Sequence, residues 1–157
     1  MEYIWAPWRI QYILDEKPEG CILCGKPQEN DDEKNHILFR GDNNFIMLNT
    51  YPYNPAHLLI APYRHVGNVE ELTEEERNEH FALMCRSIGV LKEVLKPGGF
   101  NMGANLGRVA GAGIEDHCHS HIVPRWQGDT NYIPVLADVR VVPQALDDTY
   151  RMLKGKF

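Results

Sequence analysis

The 157-residue sequence has no apolar run that approaches the roughly 20 residues a membrane helix needs. Its N-terminus lacks the basic start and apolar stretch of a signal peptide. Internal repeats and low-complexity tracts are missing too. We therefore expect a cytoplasmic protein with no membrane partner. The length and the 43% of hydrophobic residues favour one domain over residues 1–157 with a core of its own.

The sequence also lacks a cluster of lysine and arginine, and its formal net charge is −6. Proteins that bind nucleic acid without regard to sequence depend on many basic contacts to phosphates. The composition therefore disfavours a nucleic-acid partner. A small phosphorylated ligand stays compatible with it, because one site can combine backbone N–H groups, an arginine and histidines without a basic surface.

Cysteine is scarce, with four residues in the chain. Cys21 and Cys24 form a Cys-x-x-Cys pair, which in a reducing compartment indicates metal binding or redox work rather than a disulfide. The alternative is a pair of reduced loop thiols. Cys85 and Cys118 lie in apolar patterns, and we expect both to be small buried side chains.

One long helix is the clearest predicted element. Thr73 and Glu76 make a capping box at its start, and residues 97–99 (Pro-Gly-Gly) end it. Its apolar face is predicted from helical spacing to hold Phe81, Met84, Cys85, Ile88, Leu91 and Leu95. Shorter helices are expected over residues 1–14, with Trp5 and Trp8, and over residues 143–154, with Ala145, Leu146, Tyr150 and Leu153 on one face.

Short apolar runs predict five strands. They cover residues 37–39, 45–48, 57–61, 100–106 and 117–123. Residues 41–43 form a plausible hairpin turn, residues 15–35 a loop around the cysteine pair, and residues 107–113 a glycine-rich stretch. This order of elements predicts an α+β fold, in which an antiparallel sheet carries the long helix on one face.

Three histidines alternate in residues 117–121, His-Cys-His-Ser-His. In a strand, residues i and i+2 share a face about 6.5–7 Å apart, so the three rings are expected on one side. Cys118, Ser120 and Ile122 are then expected on the other side, beneath the long helix. Imidazole acts near neutral pH as base, nucleophile or metal ligand. Two alternatives are a polar strand face without function and a three-histidine metal site, which a flat strand would hold poorly.

The surrounding residues resemble a known family. Residues 5–9, 51–57 and 123–131 accompany His-Cys-His-Ser-His-Ile-Val, and together they resemble the histidine triad (HIT) superfamily, in the bacterial branch related to diadenosine tetraphosphate phosphorylases. The resemblance spans nearly the whole chain. It implies a HIT-like fold, with a C-terminal helix beside the long one. It also implies a homodimer, with the long helix and an edge strand at the interface.

The resemblance implies a nucleotidyl hydrolase or transferase acting on an adenine nucleotide, above all a dinucleoside polyphosphate. In the family the middle histidine attacks an α-phosphate and forms a nucleotidyl-histidine, from which water or phosphate takes the nucleotide. Transferred by motif, His119 is the nucleophile, with its other nitrogen bonded to a backbone carbonyl. His121 binds a phosphate oxygen and stabilises developing charge. His57 supports the triad.

The same resemblance implies a nucleotide pocket. Asn49 falls where the family contacts the ribose hydroxyls, and Asn105 where an amide contacts phosphate; for both, a turn residue is the alternative. Phe45 and Met47 alternate on one predicted strand. They could border the adenine, and core packing is an equal alternative.

Two positions depart from the family pattern. Gly111 and Gly113 can let backbone N–H groups approach a phosphate, but Gly113 stands where family members often have a serine or glutamine that assists the leaving group. Ser120 stands where a hydrophobic residue is usual, and we expect a packing variation there. Leaving-group assistance must therefore come from elsewhere.

A structural zinc site is the further implication. In bacterial relatives two cysteines join two histidines, and here these are Cys21, Cys24, His65 and His117. Four such ligands suit tetrahedral zinc. One ion would pin residues 1–35, the N-terminal extension and zinc loop, to the active strand. His36 is an alternative third ligand.

Three other functions are compatible with these residues. One is a non-catalytic nucleotide-binding or sensor module on the same fold, which an intact His119 disfavours. Another is a nucleoside phosphoramidate hydrolase. The third is a metal-dependent hydrolase with zinc on the triad.

Overall fold

The computed structural model describes residues 20–129 and 145–157. The helix predicted over residues 1–14 and the first two residues of the predicted 143–154 helix lie outside that part. Five strands form one antiparallel sheet in the order β1-β2-β3-β5-β4. They are β1 Ile37–Arg40, β2 Asn44–Leu48, β3 Leu58–Pro62, β4 Gly99–Ala104 and β5 Ser120–Arg125. The helices are α1 Ile22–Gln28, α2 Glu74–Leu95 and α3 Leu146–Leu153. The predicted α+β fold is confirmed.

The long helix α2 covers one face of the sheet. It begins at the predicted capping box: the Thr73 hydroxyl accepts from the Glu76 N–H at 3.2 Å, and the Glu76 carboxylate accepts from the Thr73 N–H at 2.8 Å. Apolar side chains of α2, α3 and the sheet form the larger core, which includes Ile46, Leu58, Ile60, Leu83, Leu91, Ile122, Tyr150 and Leu153. No described helix has the length and apolar character needed to span a membrane.

The predicted apolar face of α2 is partly wrong. Phe81 is 61% exposed and Cys85 is exposed, whereas His80 and Ser87 are buried. The buried face of α2 includes polar residues and is shifted by about one residue from the face that the apolar residues predict. Apolar periodicity alone therefore predicted the wrong edge of the helix. Cys118 is buried as predicted, but it packs with Val66 and Leu72 rather than beneath α2.

The other face of the sheet carries α1. The prediction of a loop over residues 15–35 is wrong where α1 forms, because Leu23 and Pro27 are buried and fix the helix against the sheet. The sequence did not predict this helix because Gly25 and Pro27 both have low helix propensity. Leu23 packs there with Ile37, Phe45, Met47, Leu59 and Ala61.

The strand that carries the histidines begins later than predicted. β5 starts at Ser120, which pairs with Ile60 of β3 and Ala104 of β4. The Cys118 N–H instead donates to the Val66 carbonyl at 2.7 Å. Residues 117–119 therefore bend away from the ladder, and His119 lies immediately before the point where β5 begins.

Candidate active site and metal cluster

An open pocket lies between α1, the sheet and the glycine-rich loop. Its volume of about 820 Å³ includes space open to solvent, and it is large enough for a nucleotide. His119 and His121 line it together. The other lining residues are Ile22, Leu23, Lys26, Met47, Asn49, Thr50, Tyr51, Tyr53, Leu59, Asn105, Gly111, Gly113 and Ile114.

The ring of His119 is held in one tautomer. Its Nδ1 lies 2.9 Å from the backbone carbonyl of His117, an acceptor, so Nδ1 carries the proton. The lone pair is therefore on Nε2. The side chain is buried, and burial lowers the pKa of His119. A neutral ring with a lone pair on Nε2 is the form a nucleophile requires.

His121 is held in the opposite sense through His57. The Tyr53 N–H donates to His57 Nδ1 at 3.1 Å, so His57 carries its proton on Nε2. That Nε2–H donates to His121 Nδ1 at 2.9 Å. Because Nδ1 accepts, the one N–H proton of neutral His121 is on Nε2. Burial, and next the charge of His119, lower the pKa of His121 to about 4. His121 is therefore a neutral hydrogen-bond donor near neutral pH.

These two histidines lie side by side, with ring centroids 5.0 Å apart and nearly perpendicular planes. His57 lies at the predicted place, immediately before β3, and is fully buried. The Tyr53 ring stacks on His57 with centroids 4.8 Å apart. The arrangement presents a lone pair and an N–H donor to one pocket, which suits attack on a phosphorus atom beside a bound phosphate oxygen.

His117 does not line up with the other two, contrary to the prediction. Its Nε2–H donates to the Pro62 carbonyl at 2.8 Å, so its Nδ1 lone pair is directed elsewhere. Nδ1 lies 3.3 Å from Cys21 Sγ and 3.4 Å from Cys24 Sγ. The reason is the bend before β5, which breaks strand alternation at residues 117–119.

The donor atoms of Cys21, Cys24, His65 and His117 all lie within 4.8 Å of one another. Tetrahedral zinc places a thiolate sulfur and an imidazole nitrogen about 3.5 Å apart. The Cys24 Sγ to His65 Nδ1 distance of 3.3 Å and the two Cys–His117 distances are close to that value. The residues therefore fit a zinc ion. The carbonyl bonded to His117 is the outer-shell partner that such ligands commonly have.

The surroundings of Cys24 do not favour a reactive thiol. Burial, and next the hydrogen bond and charge of Cys21, raise the pKa of Cys24 to about 11. A thiol with so high a pKa is a poor nucleophile, and a bound cation reverses that balance. Among the described donors, neither His119 nor His121 belongs to the cluster.

His36, the alternative ligand, is elsewhere. Its Nε2 lies 2.9 Å from the Asp147 carboxylate, and its ring meets that of Tyr150 edge-on at 5.7 Å. This alternative is therefore wrong: His36 joins the end of the loop before β1 to α3.

Asn49 and Asn105 both reach the pocket, as do Gly111 and Gly113. The Asn49 side-chain oxygen accepts from the Tyr51 N–H at 2.9 Å, so its amide nitrogen faces His57 Nδ1 at 3.3 Å. The Asn105 amide donates to the Gly111 carbonyl at 3.3 Å. Gly111 has φ +88°, a left-handed conformation that glycine adopts without strain.

Of the two candidates for the adenine border, one is in the pocket. Met47 lines it, whereas Phe45 is fully buried and stacks on Tyr63 with centroids 5.4 Å apart. The prediction for Phe45 is therefore wrong. Both side chains share a face of β2, but only Met47 lies far enough along the strand to reach the pocket.

Sequence reasoning missed the contribution of α1. Ile22, Leu23 and Lys26 occupy one helical face and line the pocket. Lys26 Nζ donates to the Thr50 hydroxyl at 3.3 Å, and burial lowers the pKa of Lys26. The i, i+4 spacing of Ile22 and Lys26 is the sequence pattern that could have predicted a shared helical face. It predicts nothing for a loop, which is what the sequence indicated for residues 15–35.

Comparisons with known proteins agree with this geometry. A family model described as HIT domain matches residues 30–128. The AP-4-A phosphorylase of Mycobacterium tuberculosis is 38% identical over 161 residues, 98% of this chain and 83% of that protein. The bis(5'-adenosyl)-triphosphatase of Dictyostelium discoideum is 32% identical over 96 residues, 61% of this chain and 64% of that protein. A Zn-bound histidine triad family protein from Mycobacterium smegmatis shares the fold, with a TM-score of 0.70 at 23% identity over 87% of this chain and 92% of that one.

Proposed function

Because the chain belongs to the HIT domain family, we propose that it cleaves dinucleoside polyphosphates at an α-phosphate, with His119 as the nucleophile. The observation that carries the proposal is the pair of opposed tautomers in the pocket. His119 offers a lone pair on Nε2, and His121 offers a proton on Nε2. A metal-free nucleophile and an adjacent phosphate-binding donor are thereby available without a change of protonation.

The chemistry proceeds in two displacements. First, the His119 Nε2 lone pair forms a bond to the α-phosphorus, and the bond from phosphorus to the bridging oxygen breaks, so that the departing nucleotide leaves with the electron pair. Second, an oxygen of water or phosphate attacks the same phosphorus, and the nitrogen–phosphorus bond breaks with its electron pair returning to His119 Nε2; an attacking water releases a proton to solvent. The His121 N–H stabilises the charge on the phosphoryl oxygens in both steps.

The pocket also fits the nucleoside. Ile22, Leu23, Met47 and Leu59 form an apolar wall suited to a base, and Asn49 and Thr50 supply polar groups beside it. Lys26 adds a cation on the α1 side of the pocket, where it can pair with a phosphate of the ligand. An adenine nucleotide is the substrate we propose, since the two named relatives act on adenosine compounds.

Phosphate is the acceptor that we favour over water. The relative that matches nearly the whole chain is named a phosphorylase. Incubation with diadenosine tetraphosphate, with and without phosphate, tests both the substrate and the acceptor. We expect ADP and ATP only when phosphate is present. AMP and ATP without phosphate would show hydrolysis, and no products under either condition would contradict the proposal.

We further propose that Cys21, Cys24, His65 and His117 hold one structural zinc ion. The donor distances support this assignment, and so does their placement on α1, the loop after β3 and the segment before β5. A zinc ion there would supply a cross-link between these segments. The His117 carbonyl, which orients His119, belongs to one of the cross-linked segments.

A homodimer is the assembly we propose. β4 is an edge strand within the described sheet, and its residues 101–104 are exposed. Phe81 is 61% exposed and Met102 is 47% exposed, which leaves apolar surface at the predicted interface. An open edge strand with apolar neighbours favours pairing with a second chain. Light scattering after size exclusion tests this: a mass near 36 kDa is expected from the 18.0 kDa chain, and a mass of one chain would contradict it.

We place the protein in the cytoplasm because of its thiols. All four cysteines are free, and two of them belong to the metal cluster. Thiolate ligands persist in a reducing compartment.

A further inference from the structure

A buried chain of hydrogen bonds joins α2 to the residue between His119 and His121. Ser120 Oγ lies 2.8 Å from His80 Nε2, and His80 Nδ1 lies 2.9 Å from the Asn44 side-chain oxygen. Ser120, His80 and Asn44 are 6%, 7% and 0% exposed. Three polar side chains thus connect β5, α2 and β2 inside the core, in a chain whose sequence pattern led us to expect only a packing variation at Ser120.

The direction of each bond follows from the far end. The Asn44 amide nitrogen donates to the Glu76 carbonyl at 3.1 Å and to the Glu79 carboxylate at 3.0 Å, so its oxygen faces His80. His80 Nδ1 therefore carries the ring proton. Its Nε2 accepts, and the Ser120 hydroxyl is the donor. Every member is satisfied while His80 is neutral, which is the condition for a stable buried polar network.

The residues around His119 are tied to three different parts of the fold. The His117 ring donates to the last carbonyl of β3 at 2.8 Å, and the Cys118 N–H donates to the loop after β3 at 2.7 Å. Ser120 donates to α2. The side chain of His119 alone among these four enters the pocket. The bond from Ser120 lies at the first residue of β5, directly after His119.

We propose that His80 is a positioning residue for His119: through Ser120 it fixes the start of β5, and with it the direction of His119 Nε2. This inference rests on the proposed role of His119 as nucleophile. Reaction rates depend steeply on such placement, since a displacement of about 1 Å can cost on the order of 100-fold. His80 does not line the pocket, and its hydrogen bond to Ser120 is the contact through which it positions the start of β5.

Two substitutions of matched shape test the inference. Ser120→Thr and Ser120→Val give branched side chains of nearly the same shape, and only the threonine keeps a hydroxyl for His80. We expect Ser120→Thr to keep a kcat within about twofold of wild type, and Ser120→Val to lose about tenfold or more in kcat with little change in KM. Ser120→Ala gives the same comparison without added volume, should the valine variant fail to fold.

A second readout does not depend on turnover. The Nδ1 proton of His119, bonded to the His117 carbonyl, gives a distinct signal in ¹H–¹⁵N correlation spectra of the imidazole rings. We expect that signal in wild type and in Ser120→Thr, and its weakening or a mixture of tautomers in Ser120→Val. A purely structural role of the pair would lower stability and leave both this signal and kcat unchanged.

The helix supplies the control. Ser87 is a fully buried hydroxyl on α2, and no partner for it lies in the described part of the chain. Ser87→Ala should leave kcat and the His119 signal as in wild type.

His80→Leu should reproduce the Ser120→Val defect. The variant that carries both substitutions should be no worse than either single one, because both remove the same bond.

The outcomes are decisive for each claim. Equal kcat and equal spectra for Ser120→Thr and Ser120→Val would overturn the positioning role. If wild type turns over no dinucleotide, the proposed activity fails, and the spectra alone then decide the positioning role. If wild type is active and Ser120→Val changes only kcat or only the His119 Nδ1–H signal, the positioning role is also overturned.

Discussion

The direction of its hydrogen bonds determines which ring nitrogen of each histidine carries the proton. A carbonyl beside Nδ1 of His119 leaves a lone pair on Nε2, while the backbone N–H of Tyr53 acts through His57 to leave a proton on Nε2 of His121. A carbonyl beside Nε2 of His117 directs its lone pair to the cysteines. Three rings in five residues thus present a lone pair to the pocket, a proton to the pocket and a lone pair to the cysteines, and each neutral tautomer is set by a neighbour of fixed chemistry.

The first prediction concerns the nucleophile. His119→Asn removes the attacking nitrogen and keeps a polar side chain of similar size near the pocket. Turnover of diadenosine tetraphosphate should fall by about 10⁴-fold or more, while the Kd for ADP changes by only a few fold. Steady-state assays and calorimetric titration measure the two effects.

His36→Asn is the matched control for that prediction. His36 lies outside the pocket, and its φ of +55° is a conformation that asparagine accepts readily. Activity should survive there. If His119→Asn keeps more than a few per cent of wild-type turnover, another group is the nucleophile.

Lys26 gives the second prediction. Its ammonium lines the pocket on the same face of α1 as Ile22, and a bound phosphate is the ligand group that would pair with it. Lys26→Met keeps the apolar stem and removes the charge, so KM should rise about tenfold with kcat nearly unchanged, as for uniform binding. Lys92→Met, at an exposed position of α2, should change neither. An unchanged KM in Lys26→Met would place the polyphosphate elsewhere.

At the scale of elements, the short helix α1 has two duties. Its first turn follows Cys21 and contains Cys24, two of the four proposed zinc donors, and its inner face supplies one wall of the pocket. Seven residues make a weak helix in isolation. Burial of Leu23 and the cluster at its N-terminal end are therefore what fix it.

The third prediction follows from that dependence. Cys24 Sγ lies within 3.4 Å of Nδ1 of both His65 and His117, so Cys24→Ser removes a central donor. Bound zinc should fall well below one ion per chain, and Tm should drop by roughly 10 °C, as when a folding-coupled metal is lost. Elemental analysis and thermal unfolding measure these changes. Cys85→Ser, at an exposed thiol of α2, should leave both at wild-type values. Full zinc content in Cys24→Ser would contradict the ligand set.

The elements that sequence could predict are those fixed locally. The capping box places the start of α2, and short apolar runs place the strands, since both signals lie within a few residues. The buried face of α2 could not be predicted, because His80 is buried against its partners Asn44 of β2 and Ser120 of β5. The bend before β5 includes a hydrogen bond from the Cys118 N–H to the Val66 carbonyl, which lies far away in the chain.

The residues of the candidate site also fall into those that the sequence could predict and those that it could not. Residue type, spacing and the family resemblance predicted two groups that the fold does bring together: His119 with His121 in the pocket, and the two cysteines of residues 21–24 with His65 and His117. Lys26 and His80 carried no such signature. Their meaning comes from Thr50 and Ser120, partners that only the fold brings near.

At the scale of the whole molecule, stability depends on buried histidines that must stay neutral. Burial, and next the charge of His119, lower the pKa of His80 to about 4, while the nearby Glu79 carboxylate acts weakly in the opposite direction. An unfolded histidine has a pKa of about 6.5. Between these two values the unfolded chain binds the extra proton, so this contribution to stability is complete above pH 6.5 and is lost as pH falls through 4.

The fourth prediction isolates that contribution. His80→Leu cannot take up the proton, so the stability advantage of wild type over His80→Leu should shrink as pH falls from 7 to 4, by at most about 3 kcal/mol. Urea unfolding of both proteins at intervals of half a pH unit measures the gap. Acid release of a bound metal and titration of His121 occur in both proteins and cancel in the difference. A gap that stays constant over this range would mean that His80 has the same pKa folded and unfolded, and that burial does not hold it neutral.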